Sequence, residues 1–173
     1  MDNTRAKIIE ESGMRFGPFL SEDLFHIEMS RAYAALGNGF SSVEFVCMKQ
    51  KNEKKYLYFI EAKSSSPNPE NGEERFYEWI DEVSMKFKDS LQLFMAAELG
   101  IQSDEGIGQH LLEAEMAECA IKLILVLSQH KKEWLPPVRD ALSARLRKLL
   151  RIWKAEIIAL NRDMAHAYGL VQS

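Results

Sequence analysis

The segment 43–62 most constrains how this chain can fold, because it has the pattern of two β-strands joined by a short polar turn. Residues 43–48 and 56–62 are largely apolar and alternate as strands do. The residues between them are all polar: Lys49-Gln50-Lys51-Asn52-Glu53-Lys54-Lys55. We therefore predict an antiparallel hairpin of these two strands.

Both predicted strands carry ionisable side chains near the end that lies away from the turn. Glu44 stands at the start of the first strand, and Glu61 and Lys63 stand at the end of the second. Ionised groups in a sheet are costly unless they are paired or bind a metal ion. Two carboxylates and an ammonium group in this position therefore indicate a functional site.

The register of the hairpin determines whether these charges meet. If the turn is 51–54, Gln50 pairs with Lys55 and Glu44 lies opposite Glu61, with about 5 Å between their Cβ atoms. Two carboxylates at that distance repel each other unless one is protonated or a cation lies between them. Mg2+ or Mn2+ would satisfy this need, and Lys63 would project beside the same ion.

The rest of the chain predicts helices around a mixed sheet. Residues 21–36 have a helical pattern with Glu28 on the inward side, and 73–99 form a second, longer amphipathic helix. The run 121–127 is apolar throughout, as expected for an interior strand. Lys86 and Gln92 in the longer helix could point back to the site, but the pattern does not separate them from surface residues.

A long C-terminal helix is predicted over about 137–168, beginning after Pro136-Pro137. Its apolar stripe consists of Leu142, Leu146, Leu149, Leu150, Trp153, Ile157, Leu160 and Met164. Basic residues occupy the other side, which is either a solvated face or a surface for nucleic acid or a partner. A second copy of the chain could cover this helix, so a homodimer is left open.

Length and composition indicate one domain over 1–173, with a core at about 20–128 and an α/β fold. The net charge of −4 argues against binding to nucleic acid by bulk electrostatics alone. No run is apolar enough to cross a membrane, and no apolar segment follows the N-terminal charges as in a secretion signal, so a cytoplasmic protein is expected. The two cysteines and four scattered histidines suggest neither a disulfide nor a zinc site.

A helix glutamate, an acid on one strand and an E-x-K triplet at the end of the next strand together resemble the PD-(D/E)XK nuclease superfamily. The residues are Glu28, Glu44 and Glu61-Ala62-Lys63, within a span of 21–66. The resemblance implies a restriction-endonuclease-like core with a central mixed sheet flanked by helices. It departs from the family in having Glu44 where Asp is usual, no preceding proline and little room for the customary first strand, unless 14–19 supplies it.

The same resemblance implies Mg2+-dependent hydrolysis of phosphodiesters, with DNA favoured over RNA as the substrate. Glu44, Glu61 and the backbone carbonyl of Ala62 would bind the metal, Lys63 would position water, and Glu28 would be an accessory acid. Two other interpretations stay open: a structural Glu61–Lys63 pair, and a catalytically silent module with this fold that binds protein or nucleic acid. The E-x-K spacing alone has little weight, because Glu53-Lys54-Lys55 repeats it in the turn.

Overall fold

The computed structural model describes residues 6–173. Residues 1–5 lie outside the described residues. They belong to the predicted domain and to the N-terminal segment considered as a secretion signal. The fold is mixed α/β. The strands are β1 (Lys7–Glu11), β2 (Met14–Phe19), β3 (Leu24–Phe25), β4 (Phe45–Lys51), β5 (Lys54–Lys63), β6 (Ala120–Leu127) and β7 (Glu156–Asn161). The helices are α1 (Arg31–Leu36), α2 (Glu73–Glu98), α3 (Gln109–Leu112), α4 (Leu135–Arg145), α5 (Arg147–Trp153) and α6 (Arg162–Ala167).

Five strands form the central sheet in the order β3-β4-β5-β6-β7, and β1 and β2 form a separate hairpin. β3, β4 and β5 are antiparallel neighbours, whereas β5, β6 and β7 are parallel. The carboxyl ends of the three parallel strands therefore lie at one edge of the sheet, and β4 begins at that edge. Ligand sites in open α/β sheets usually lie outside such an edge.

Both faces of the sheet are covered, so the fold has three layers. α2 and α4 pack on one face, against a core that includes Val46, Phe59 and Leu123. The β1–β2 hairpin and α6 pack on the other face, around Phe45 and Ile60. Because alternate side chains of a strand point to opposite faces, Glu44 and Glu61 share the face that α2 covers.

The hairpin has the predicted register. Gln50 is opposite Lys55, and the pairing continues to Phe45 opposite Ile60. The turn is tight because Asn52 and Glu53 both adopt positive φ angles, 49° and 66°, as a two-residue hairpin turn requires. The strand predicted at 121–127 and the helix predicted at 73–99 are also present, as β6 and α2.

The prediction of a helix over 21–36 is wrong for most of its length. The segment begins with two single-turn 3-10 helices, Ser21–Asp23 and Ile27–Met29, with β3 between them, and only its last part, α1, is an α-helix. The two-residue β3 pairs with β4, but it precedes α1, and no strand lies between α1 and β4. The alternative, a first strand at 14–19, exists as β2 but pairs with β1 instead.

The prediction of one helix over about 137–168 is also wrong. α4 ends at Arg145, α5 ends at Trp153, and Lys154 turns the chain in the left-handed conformation, with φ 49° and ψ 38°. The chain then enters β7, which pairs in parallel with β6. Without β7, β6 would be an exposed edge strand, so pairing and burial of its apolar residues outweigh the helical periodicity.

Candidate metal and catalytic site

Glu44, Glu61 and Lys63 all lie at the carboxyl edge of the parallel strands. Glu44 immediately precedes β4, and its backbone N–H donates to the Ile60 carbonyl at 3.0 Å. The residue before it is held by α2, because Ser90 Oγ accepts a hydrogen bond from the Val43 N–H at 2.8 Å. The start of β4 is thereby fixed against both β5 and α2.

Glu61 is fully buried, and two lysines compensate its charge. Lys86 Nζ of α2 lies 2.9 Å from Glu61 Oε1, and Lys63 Nζ lies 3.1 Å from the same oxygen. Glu61 Oε2 is buried without a hydrogen-bond partner. Burial raises the pKa of Glu61, and the two ammonium groups oppose this rise without cancelling it.

Lys86 is held in its charged form by the same contact. Burial acts to lower the pKa of Lys86, but attraction to Glu61, with smaller contributions from Glu44 and Glu28, outweighs burial and raises it. Both lysines remain partly exposed to solvent. The structure thus contains a buried carboxylate whose counter-charges reach the surface.

A second group of carboxyls lies beside this pair. Oxygen atoms of Glu11, Glu28 and Glu44 all lie within 4.8 Å of one another. Glu11 comes from the end of β1, Glu28 from the 3-10 turn Ile27–Met29, and Glu44 from the start of β4. We call these three residues the acid trio.

The acid trio shows the electrostatic conflict that a cation would relieve. The pKa of Glu44 is raised to about 8, first by burial, then by a hydrogen bond with the Glu28 carboxyl and by repulsion from Glu61, Glu28 and Glu11. Burial and the charge of Glu28 also raise the pKa of Glu11. Without a cation, Glu44 therefore holds a proton at neutral pH.

The donor set suits a hard divalent cation. Mg2+ binds oxygen at about 2.1 Å, so ligand oxygens on opposite sides of the ion lie about 4.2 Å apart. The oxygens of the acid trio, all within 4.8 Å of one another, are near enough to share one ion of this kind. Carboxylate oxygens with no sulfur or imidazole nitrogen among them favour Mg2+, Mn2+ or Ca2+ over zinc or copper.

The structure divides the residues singled out from the sequence into two adjacent groups. Glu28 lies with Glu44 in the acid trio, although it is exposed and comes from a 3-10 turn, not from the predicted helix face. Glu61 lies with Lys63. The Ala62 side chain packs into the opposite core, so only its backbone could contribute to this site.

Two residues of the site were not assigned from the sequence. Glu11 stands at a strand end before a Ser12-Gly13 turn, where an acid is ordinarily just a solubilising group. Lys86 lies beside the buried positions Val83 and Phe87 of α2. That position at the border of the buried face was the one available signal, and it does not distinguish Lys86 from other half-buried lysines.

Among solved structures, the chain resembles a structure of the restriction endonuclease FokI. The two share 13% sequence identity with a TM-score of 0.38, over 72% of this chain and 19% of that chain. The chain thus matches about a fifth of the length of that protein. No protein-family model matches the chain, and no curated protein matches it significantly in sequence.

The resemblance to FokI is too distant to transfer residues or activity. The evidence for function is therefore the arrangement of the acid trio, Glu61 and the two lysines.

In the part of the chain from residue 6 onward, no helix is both long enough and apolar enough to cross a membrane.

Proposed function

We propose that this protein is a nuclease that uses Mg2+ or Mn2+ to hydrolyse phosphodiester bonds of nucleic acid, DNA in preference to RNA. The observation that carries the proposal is the convergence of four carboxyls and two ammonium groups at the carboxyl edge of the sheet. The carboxyls are those of the acid trio and Glu61, and the ammonium groups are those of Lys63 and Lys86. The resemblance to the PD-(D/E)XK superfamily seen in the sequence points to the same chemistry.

In this proposal the acid trio is the main metal site, and Glu61 with the carbonyl of Ala62 completes it. A divalent cation there would polarise a phosphoryl oxygen and lower the pKa of a bound water. Glu44 must lose its proton for this site to form. Glu28, which is exposed, and Glu11, which is half-buried, bring the ligand set to the surface, where a phosphate group can reach it.

Lys63 is proposed to orient the attacking water and to stabilise negative charge on the phosphoryl oxygens. Its side chain is partly exposed while its Nζ contacts Glu61, so it joins the buried carboxylate to the solvent side of the site. Lys86 holds Glu61 from the α2 side and acts as a positioning residue. A fixed ammonium group aimed at developing charge acts more strongly in such a site than in water.

Substrate access is provided by an open cleft of about 480 Å3 that reaches Glu11. Its walls carry both signs of charge: the cations Lys7 and Arg31, and the acids Glu10 and Glu105 besides Glu11. Arg31 is already paired with Glu105, at 3.1 Å. In a chain with a net charge of −4, a polyanion entering this cleft would therefore depend on the metal ion as well as on these cations.

The test is a cleavage assay with DNA and RNA substrates, with and without Mg2+ or Mn2+. We expect Glu44→Gln and Lys63→Met each to lower the rate about 10²–10³-fold. The matched controls are Glu53→Gln and Lys55→Met, which alter the E-x-K triplet at the other end of β5 and should cleave like the wild type. Cleavage that survives both Glu44→Gln and Lys63→Met would show that the site is elsewhere.

A second candidate is a catalytically silent module that binds nucleic acid or protein. The observation that favours it is the double ion pair of Glu61, because a carboxylate already neutralised by Lys63 and Lys86 has less need of a metal ion. In that case the protein cleaves neither DNA nor RNA, whichever divalent metal ion is added. Calorimetry with Mn2+ would then give the same trace for the wild type and for Glu44→Gln.

A further inference from the structure

A separate pocket of about 400 Å3 lies beside the candidate site, between the loop after β5 and the loop after β6. Its lining includes Ser66, Pro67, Pro69, His130 and Trp134. None of these residues has a part in the proposed metal site. A cavity of this size is at the lower end of the range for small-molecule sites.

The aromatic wall of the pocket is held in place. Ser66 Oγ and His130 Nε2 are hydrogen-bonded at 3.0 Å, and the imidazole ring meets the Trp134 ring edge to face, with centroids 5.6 Å apart. Burial lowers the pKa of His130, so its ring is neutral at pH 7. Trp134 is nevertheless 52% exposed, which leaves an indole surface open beside a fixed partner.

The acidic side chains that line the pocket disfavour binding of a phosphate group inside it. Its lining contains the acids Glu70 and Glu133 and neither lysine nor arginine. The Lys131 ammonium group lies 5.1 Å from the centroid of the Trp134 ring, outside that lining. An occupant should therefore place an uncharged flat ring in the pocket and keep any negative charge outside, toward Lys131 or the metal site.

The position of the pocket relative to the candidate site is also fixed by the backbone. Ser65, another lining residue, is only two residues from Lys63, so their Cα atoms are at most about 7 Å apart. The loops continue the pairing of the strands, because the Ser128 N–H donates to the Lys63 carbonyl at 3.0 Å and the Gln129 N–H donates to the Ser64 carbonyl at 2.8 Å. The lining of the pocket therefore begins close to the Lys63 backbone, on the same side of the strand ends as the candidate site.

We propose that this pocket binds an unstacked nucleobase of the strand whose phosphate enters the metal site. This inference rests on the proposed function for the identity of the polymer, and on the pocket alone for the binding of a base. Stacking on an aromatic side chain is tolerant of base identity and contributes appreciably to binding single-stranded nucleic acid. The preferred substrate is therefore a single-stranded or locally opened segment.

The test uses adenosine, an uncharged nucleoside, as the probe, and follows the indole N–H signals of the protein by nuclear magnetic resonance. Adenosine should shift the signal of Trp134 and leave those of Trp79 and Trp153 in place. Trp134→Ala should weaken adenosine binding, followed at the Ser66 amide, by about five- to a hundredfold. The matched control is Trp153→Ala, at a residue that is 39% exposed at the end of α5, and it should bind like the wild type.

Inorganic phosphate is the second probe, and it should leave the Trp134 signal unmoved. The inference is overturned if phosphate shifts that signal as adenosine does, or if Trp134→Ala binds adenosine like the wild type while keeping the wild-type far-ultraviolet circular dichroism. Glu61→Gln separates the two proposals, because it should abolish cleavage and retain adenosine binding. Cleavage by a protein that binds no adenosine would refute the pocket alone.

Discussion

Metal binding at the acid trio should release a proton, and the number of protons released per ion follows from the pKa of Glu44. With a pKa of about 8, this carboxyl is about nine-tenths protonated at pH 7 and about one-tenth protonated at pH 9. A carboxylate must be deprotonated to ligate a metal ion. Each Mg2+ or Mn2+ ion should therefore displace about 0.9 proton from Glu44 at pH 7 and about 0.1 at pH 9.

The assay is isothermal titration calorimetry with Mn2+ in two buffers of different ionisation enthalpy at each pH, which yields the number of protons released. Competition with the proton should also make the apparent affinity at pH 7 about tenfold weaker than at pH 9. Glu44→Gln should lower the release at pH 7 by about 0.9 proton, which leaves any smaller contribution from Glu11. Glu53→Gln, in the hairpin turn, is the control and should keep the wild-type value.

Two results would refute this reasoning. One is binding of Mn2+ to the wild type with the same proton count at pH 7 and pH 9, since the proton on Glu44 would then take no part. The other is an unchanged proton count at pH 7 in Glu44→Gln. Either result would remove Glu44 from the metal site while leaving the ion pairs of Glu61 as they are.

Three further predictions concern stability. The pKa of Glu44 is raised from 4.5 to about 8 on folding, so its contribution to metal-free stability is fully present below pH 4.5 and is lost as the pH rises through 8. The free energy of unfolding of Glu44→Gln, measured with urea, should therefore rise by about 3–5 kcal/mol relative to the wild type between pH 4.5 and pH 8. A difference between the two proteins that does not change with pH would contradict this. Lys86→Met should lower the free energy of unfolding at pH 7 by about 1–3 kcal/mol because Glu61 loses one of its two cations, and Lys88→Met in the same helix should change it much less. Asn161→Ala should cost about 1 kcal/mol, since Asn161 Oδ1 accepts the Met164 N–H at 3.0 Å at the start of α6; thermal unfolding with no shift would show that this cap is unimportant.

The hairpin and its register could be predicted because local chemistry determines both. A polar turn between two apolar strands allows few pairings, and a slip of one residue would have moved the apolar set of β4 to the wrong face. Glu44 and Glu61 were therefore expected on one face, where the structure has them. The sequence did not reveal how the repulsion between them is relieved, because the lysine that helps to do so, Lys86, comes from another element.

The C-terminal prediction failed because periodicity is ambiguous over short distances. The apolar residues of α4, α5 and β7 fall on one continuous helical stripe, and the break between α5 and β7 contains neither glycine nor proline. Lys154 makes the turn in a left-handed conformation that non-glycine residues seldom adopt. Residues 156–161 form a strand because they pair with the otherwise exposed edge of β6. That is a tertiary feature, and the sequence of the segment itself does not reveal it.

The site also contains residues that only the fold brings together. Glu11 lies at the end of a hairpin strand on the far side of the sheet from α2, and Lys86 lies on α2 itself. Both reach the same edge because that edge is where the layers above and below the sheet end. Charged residues within apolar strands can be flagged from sequence, whereas charged residues on turns and helix borders cannot.

The two halves of the site are neutralised in different ways, and this determines which half should bind a metal ion first. Glu61 has two ammonium groups on one oxygen, so an ion approaching it meets positive charge. Glu44 is neutralised by a proton, which leaves as the ion arrives. The acid trio should therefore bind the first ion, with Glu61 joining only when Lys63 or Lys86 turns to a phosphate group. That exchange would link substrate binding to completion of the proposed metal site, and a protein in which Glu61 never releases its lysines would be the silent module.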